Sequence, residues 1–213
     1  MNRAHRIRLA AGVTVAMVIA PTVAAHAAPV YVRPGAPGQP TQRIAVSDVA
    51  VPVSGTYTMA EVHFVQHMMV HHGQALTMTA LVADRAGDER IHNLARRIDV
   101  TQVAEIDQMA QWLRIRSEAV PDHEDSTGHE GMPGMVSQAD LARLEASEGA
   151  AFDRLFLELM IHHHRGAVQM VEELREATGD ILEAGISALA FEIEDQQQTE
   201  IVRMQRLLDE LSA

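Results

Sequence analysis

The chain contains itself twice. An offset of 92 residues carries Phe64 onto Phe156, Met68 onto Met160, His71 onto His163, His72 onto His164, Ala75 onto Ala167 and Met78 onto Met170. A slightly longer offset carries Gln102 onto Gln197, Glu105 onto Glu200, Ile106 onto Ile201 and Met109 onto Met204. Matched segments in the same order are what two copies of one helical hairpin leave in a sequence. Two such hairpins bury their apolar faces against each other with approximate two-fold symmetry, so equivalent side chains can meet near the axis.

Local signals place the helices. Thr58 with Glu61 three residues on is a capping box, and the helix it opens is expected to run to about Arg85 before Gly87 ends it. Asp88 caps a second helix that continues through Trp112 to about Arg116. The stretch PDHEDSTGHEGMPG breaks the pattern with Pro, Gly and acidic residues, and defines an acidic His/Met loop at 121–136. Ser137 with Asp140 starts a short helix that bends near Gly149; a third long helix follows to about Ala177. Gly179 and Asp180 mark a stop and a start, and the last helix ends near Leu211. No stretch carries a convincing strand alternation. The expectation is an all-α domain over 58–213, an antiparallel four-helix bundle built from two duplicated hairpins.

Residues 1–28 read as an export signal. Arg3, Arg6 and Arg8 precede an apolar run at 9–20, and small residues at 23–28 suggest cleavage after Ala27 or Ala28. Pro21 keeps the apolar run short of the roughly 20 residues a membrane span needs, so no membrane span is expected after cleavage. Residues 29–57, rich in Pro, Gly, Val and Thr, read as a flexible tether. The mature chain is expected outside the cytoplasm, secreted or in the cell envelope.

Composition narrows the chemistry. There is no cysteine, which excludes disulfides, thiolate metal sites and a lipid anchor on cysteine. The formal charge is -12, more negative still once the signal arginines are lost, so nucleic acid is an unfavourable partner. Aromatics are 3% of residues, too few for a stacking platform or an aromatic-lined sugar groove. Neither a Gly-rich phosphate loop, a nucleophilic serine elbow, a His-Glu-x-x-His motif nor a paired Glu-x-x-His signature is present. The chain is therefore read as a binding protein and not an enzyme.

A helical wheel gives the candidate ligands. With His71 as reference, Phe64, Met68, Ala75, Met78 and Val82 all fall within about 60 degrees of it. Phe64, Ala75 and Val82 belong in the core, so His71 and Met78 face it too, with Met68 alongside. His163, Met170 and Met160 repeat the arrangement beside Phe156 and Ala167. Two core-directed imidazoles and up to four thioethers are expected to approach one another across the bundle. Both groups are neutral, relatively soft donors that suit Cu(I) or Cu(II), whereas calcium or magnesium would want oxygen. A single buried His or Met is ordinarily core filler; the duplication is what favours a copper ion.

The neighbouring His72 and His164 sit about 100 degrees round the helix, as further ligands, as groups behind the ligands, or as helix-boundary residues. His63, His67 and His71 share a face at four-residue spacing, which makes His67 part of an additional surface site. His123, His129, Met132 and Met135 in the loop are read as a looser capture site or a solvated loop. Glu105 and Glu200 are expected to make interhelical polar contacts. Two other readings stand beside copper binding: a structural or protein-interaction bundle without metal, and a noncovalent haem-binding bundle with a His and Met pair as axial ligands. No protein partner is identifiable, and a homo-oligomer is compatible with the sequence.

The segment MIHHHRGAVQM at 160–170 and its divergent copy MMVHHGQALTM at 68–78 resemble the paired motif of the domain of unknown function 305. The Glu105 to Met109 and Glu200 to Met204 segments resemble that family's hairpin ends. The resemblance spans roughly residues 58–211 and implies a ferritin-like helical bundle, usually exported, with some members linked to copper binding or tolerance. The first copy departs from the pattern, having Gly73 and Gln74 where the second has Arg165 and Gly166.

Overall fold

The computed structural model describes residues 30–33, 42–45, 56–122 and 131–212, in two units divided between Val51 and Pro52. The export signal, His123 and His129 lie outside the described residues. In the first unit, β1 (Val30–Arg33) and β2 (Gln42–Ala45) pair antiparallel, Val30 opposite Ala45 and Arg33 opposite Gln42. This short hairpin falls within the stretch 29–57 read as a tether. Val-Tyr-Val has strong β-propensity, but four-residue runs are too short to stand out against surrounding Pro and Gly.

The second unit is helical: α1 (Met59–Ala80), α2 (Val82–Arg85), α3 (Glu89–Ile115), α4 (Gln138–Glu145), α5 (Gly149–Thr178) and α6 (Ala184–Ser212). The capping box forms as read, with the Thr58 hydroxyl accepting from the Glu61 N–H and the Glu61 carboxylate accepting from the Thr58 N–H. At α3 the Asp88 carboxylate accepts from the Arg90 N–H, and at α4 the Ser137 hydroxyl accepts from the Asp140 N–H. Gly179 ends α5 at φ 62°, the left-handed conformation that glycine adopts without a Cβ clash. The expected first helix breaks at Leu81, leaving a single turn as α2, while Gly73 is accommodated within α1.

Two apolar clusters fix the helix directions. One joins the first half of α1 (Val62, Phe64, Met68) to the second halves of α3 (Met109, Leu113) and α5 (Met170, Leu174) and the start of α6 (Ile186, Leu189). The other joins the end of α1 (Ala75, Met78) and α2 (Val82) to the starts of α3 (Ile91, Leu94) and α5 (Phe152, Phe156), together with Met204 of α6. Hence α1 runs antiparallel to α3 and α5, and α5 antiparallel to α6. Because α3 and α5 run the same way, the chain between them must return the length of the bundle, which is the single long crossover of ferritin-like folds.

That crossover packs into the groove between α1 and α5. The Gln74 amide donates to the Val136 carbonyl (2.9 Å) and accepts from the Val136 N–H (2.7 Å), holding the strap at 131–136 from both sides. Between the two apolar clusters lies a buried polar layer: His71, His72, Gln102, Glu105, His163, His164, Gln197 and Glu200.

Candidate metal centre

α1 and α5 bring His71 and His163 together at the middle of the bundle, with ring centroids 3.8 Å apart and planes inclined by 33°. Both are fully buried. Each stands beside its sequence neighbour in nearly the same geometry, His71 to His72 at 6.4 Å and 57°, His163 to His164 at 6.2 Å and 56°. The two-fold relation read from the repeat is therefore realised in the side chains.

The Nε2 atoms are all tied. His71 donates from Nε2 to the Pro133 carbonyl (3.0 Å) and His163 to the His71 carbonyl (2.9 Å). His72 Nε2 meets the Glu105 carboxylate at 2.7 Å, and His164 Nε2 meets Glu200 at 2.7 Å. Glu105 and Glu200 thus make the interhelical contacts expected of them. A carbonyl oxygen can only accept, so Nε2 of His71 and His163 must carry the proton. In a neutral ring that leaves the lone pair on Nδ1.

The Nδ1 atoms are all open. None of the four has a hydrogen-bond partner among the described residues, and neither do the amide atoms of Gln102 and Gln197 or one oxygen of Glu105. Burial pushes the His71 pKa down to about 3, with the neighbouring His72 acting in the same direction. Burial likewise holds His163 well below the ordinary imidazole value, and His71 adds to the effect. Both rings are neutral at pH 7, the form that ligates metal. Each unmet buried polar atom costs about 1–3 kcal/mol, a penalty that packing alone does not return. An imidazole with one nitrogen tied to a carboxylate or carbonyl and the other free is oriented as metal-ligating histidines are.

The thioethers do not join the imidazoles as one group. Met68 and Met170 belong to one apolar cluster, Met78 and Met160 to the other, so two flank the polar layer on each side. Of the up to four thioethers expected near the imidazoles, two stand on each side of the layer. Met68 and Met78 share a wheel face but stand ten residues apart, about 15 Å along the axis at 1.5 Å per residue. Among the described residues no three His, Asp or Glu side chains are grouped to hold an ion by themselves. A soft ion here would draw on the imidazoles and an adjacent thioether.

His67 lies apart from this layer, exposed on α1 and stacked on His63 at 6.3 Å with the planes 18° apart. Larger surface hollows occur elsewhere; one of about 580 Å³ lies between α3 and α6 and reaches Glu200, but the buried imidazoles do not line it. Sequence reasoning missed three parts of the site: the buried amides of Gln102 and Gln197, the Gln74 clamp, and the Pro133 carbonyl on His71. The repeat had already flagged Gln102 and Gln197. Nothing local in the sequence points Pro133 at a histidine 62 positions away.

The family model for the domain of unknown function, DUF305, matches residues 61–208. The chain belongs to the DUF305 family. Among solved structures it is similar to a DUF305 fragment from Deinococcus radiodurans, with 33% identity, TM-score 0.66, and coverage of 73% of this chain and 99% of that one. It is also similar to a presumed secreted DUF305 protein from Streptomyces coelicolor, at 32% identity and TM-score 0.63, covering 72% and 94% of the two chains. CopM in a Cu(II)-bound form matches at 26% identity and TM-score 0.59, over 70% and 96%; Cu(I)- and silver-bound forms of CopM match as well. No curated protein matches the chain. No helix among the described residues of this DUF305 protein is long and apolar enough to cross a membrane.

Proposed function

We propose that this DUF305 protein is an exported copper-binding protein that buffers, sequesters or hands on the ion at the centre of its bundle. The reading rests on one observation: four buried imidazoles have Nε2 tied to a carbonyl or carboxylate and Nδ1 unpartnered. His71 and His163 are the principal ligands, His72 and His164 extend the donor set, and Met68, Met170, Met78 and Met160 flank it. Neutral nitrogen and thioether donors favour copper over hard cations, and Glu105 and Glu200 offset the charge of an ion in a buried site. CopM, with copper and silver bound, shares the fold, and the signal-like sequence at 1–28 supports binding outside the cytoplasm.

The test is an anaerobic titration of the mature protein with Cu(I) against a competing chelator, alongside the His71→Ala/His163→Ala variant. Loss of one tightly bound ion in the variant, while its helical circular dichroism is retained, supports the reading. An unchanged number of tightly bound ions in the folded variant sinks it.

A further inference from the structure

The buried layer poses a problem of access. Its imidazoles have no exposed surface, and the strap crosses the groove directly above them, with the Pro133 carbonyl on His71. Beside that strap is a hollow of about 180 Å³, lined by Phe64 and His67 of α1, Met132 and Pro133 of the strap, and Met170 and Glu173 of α5. Pro133 is common to both places: it walls the hollow and touches the buried ring. Met170 is common too, since it lines the hollow and packs in the same apolar cluster as Met68.

The hollow's donors differ from those of the layer. His67, Met132, Met170 and Glu173, from three separate segments of chain, all line this single space. His67 is exposed, Met132 half-buried and Met170 buried, so the donors form a series running inward from solvent. Glu173 accepts from the Gln169 amide through one oxygen at 2.8 Å, and its negative charge stays at the rim. A mixed imidazole and thioether set suits a monovalent soft cation, and hydrated calcium or magnesium would gain little from it.

We propose that His67, Met132 and Met170, with Glu173 supplying charge, form a second and solvent-accessible site for Cu(I) beside the strap that covers the buried histidines. It deepens the copper-binding reading given above and rests on it for the identity of the ion. The ion loses part of its water shell and exchanges it for one nitrogen and two sulfur donors; no bond to carbon or hydrogen changes and no electron moves. The site holds copper at the mouth of the groove, one strap's thickness from His71.

Native mass spectrometry of the mature chain titrated anaerobically with Cu(I) alone counts the ions bound. The wild type is expected to take two. His67→Gln/Met132→Leu, which alters only exposed or half-buried positions, is expected to take one fewer and to keep its helical circular dichroism. His71→Ala/His163→Ala is expected to keep the ion that the first variant loses. An unchanged count and affinity in His67→Gln/Met132→Leu overturns the proposal. Loss of all copper in that variant, with none lost on removing the buried pair, keeps the hollow as a site and sinks the central one. A wild type that binds no copper overturns both.

Discussion

Gly134 and Gly166 meet backbone to backbone: a methyl group on Gly166 would fall 2.4 Å from the Gly134 Cα and 2.2 Å from the Pro133 carbonyl oxygen. That same oxygen accepts the proton of His71. The close approach therefore seats the strap and, through it, fixes the tautomer of a buried imidazole. Gly134 is held at φ +75°, where a side chain would be strained.

Gly166→Ala is expected to push the strap out of the groove and to cost about 1–3 kcal/mol, the usual range for overpacking a tight site. Urea unfolding followed by circular dichroism measures the loss. A variant as stable as the wild type would mean that the strap is not seated by this contact.

The pH dependence of stability follows from the two depressed imidazoles. Folded His71 and His163 resist protonation, while the unfolded chain takes up a proton on each near pH 6.5. Both folded-state values lie below the unfolded one, so stability is at its full level above pH 6.5 and declines as the pH falls, down to about 3 in the case of His71. The neighbouring His72, His164 and His162 further oppose a positive charge on His71. Unfolding free energy should thus fall markedly between pH 7 and pH 5, and His71→Leu/His163→Leu should flatten the profile. Equal slopes in the two proteins would remove these rings as the cause.

Glu105→Gln and Glu200→Gln probe the carboxylates behind the ligands. A glutamine oxygen still accepts from the imidazole N–H, so unfolding midpoints should move little. Copper affinity should fall about 10–100-fold in either variant, read by chelator competition. The near-identical geometry of the two dyads predicts equal losses; an effect from one alone would show that the halves have diverged.

At the far end of the bundle, Arg116 is paired with Glu183 at 3.4 Å, both nearly buried, and its guanidinium lies 4.1 Å from the Trp112 ring centre. Arg116→Ala removes the cation beside Glu183, which keeps its hydrogen bonds from the Trp112 indole and the Gly185 and Ile186 N–H groups, and is expected to cost about 1–3 kcal/mol. Trp112, the single tryptophan, reports the change by fluorescence in a denaturant titration. Copper affinity should be unaltered, because this cluster is remote from the polar layer.

The parts of the site that were legible in the sequence are those that one helix determines. A wheel turned His71, His163 and the four methionines inward because 3.6-residue periodicity constrains direction within an element. The same wheel could not show that Met68 and Met78 lie on opposite sides of the layer, since a projection discards the rise along the axis. Cap residues predicted the starts of α1, α3 and α4 because their hydrogen bonds close within a few residues. The break at Leu81 has no such residue and was not legible. Pro, Gly and acidic residues signal irregular backbone at the strap, open to reading as a looser capture site or a solvated loop; only packing shows that its backbone is held by Gln74. Gly166 carries no side chain, and the strap fills the room this leaves on α5.

The two histidine and glutamate dyads each close within a single hairpin, over 33 and 36 residues, whereas the His163 bond to the His71 backbone spans 92. Each hairpin can thus arrange its own half from contacts made early and nearby. The imidazole pair exists only once the halves have docked. An ion held there would act as a clasp across the seam, gripping the assembled chain and having little purchase on either hairpin alone. Copper loading would then distinguish a finished molecule from a half-joined one.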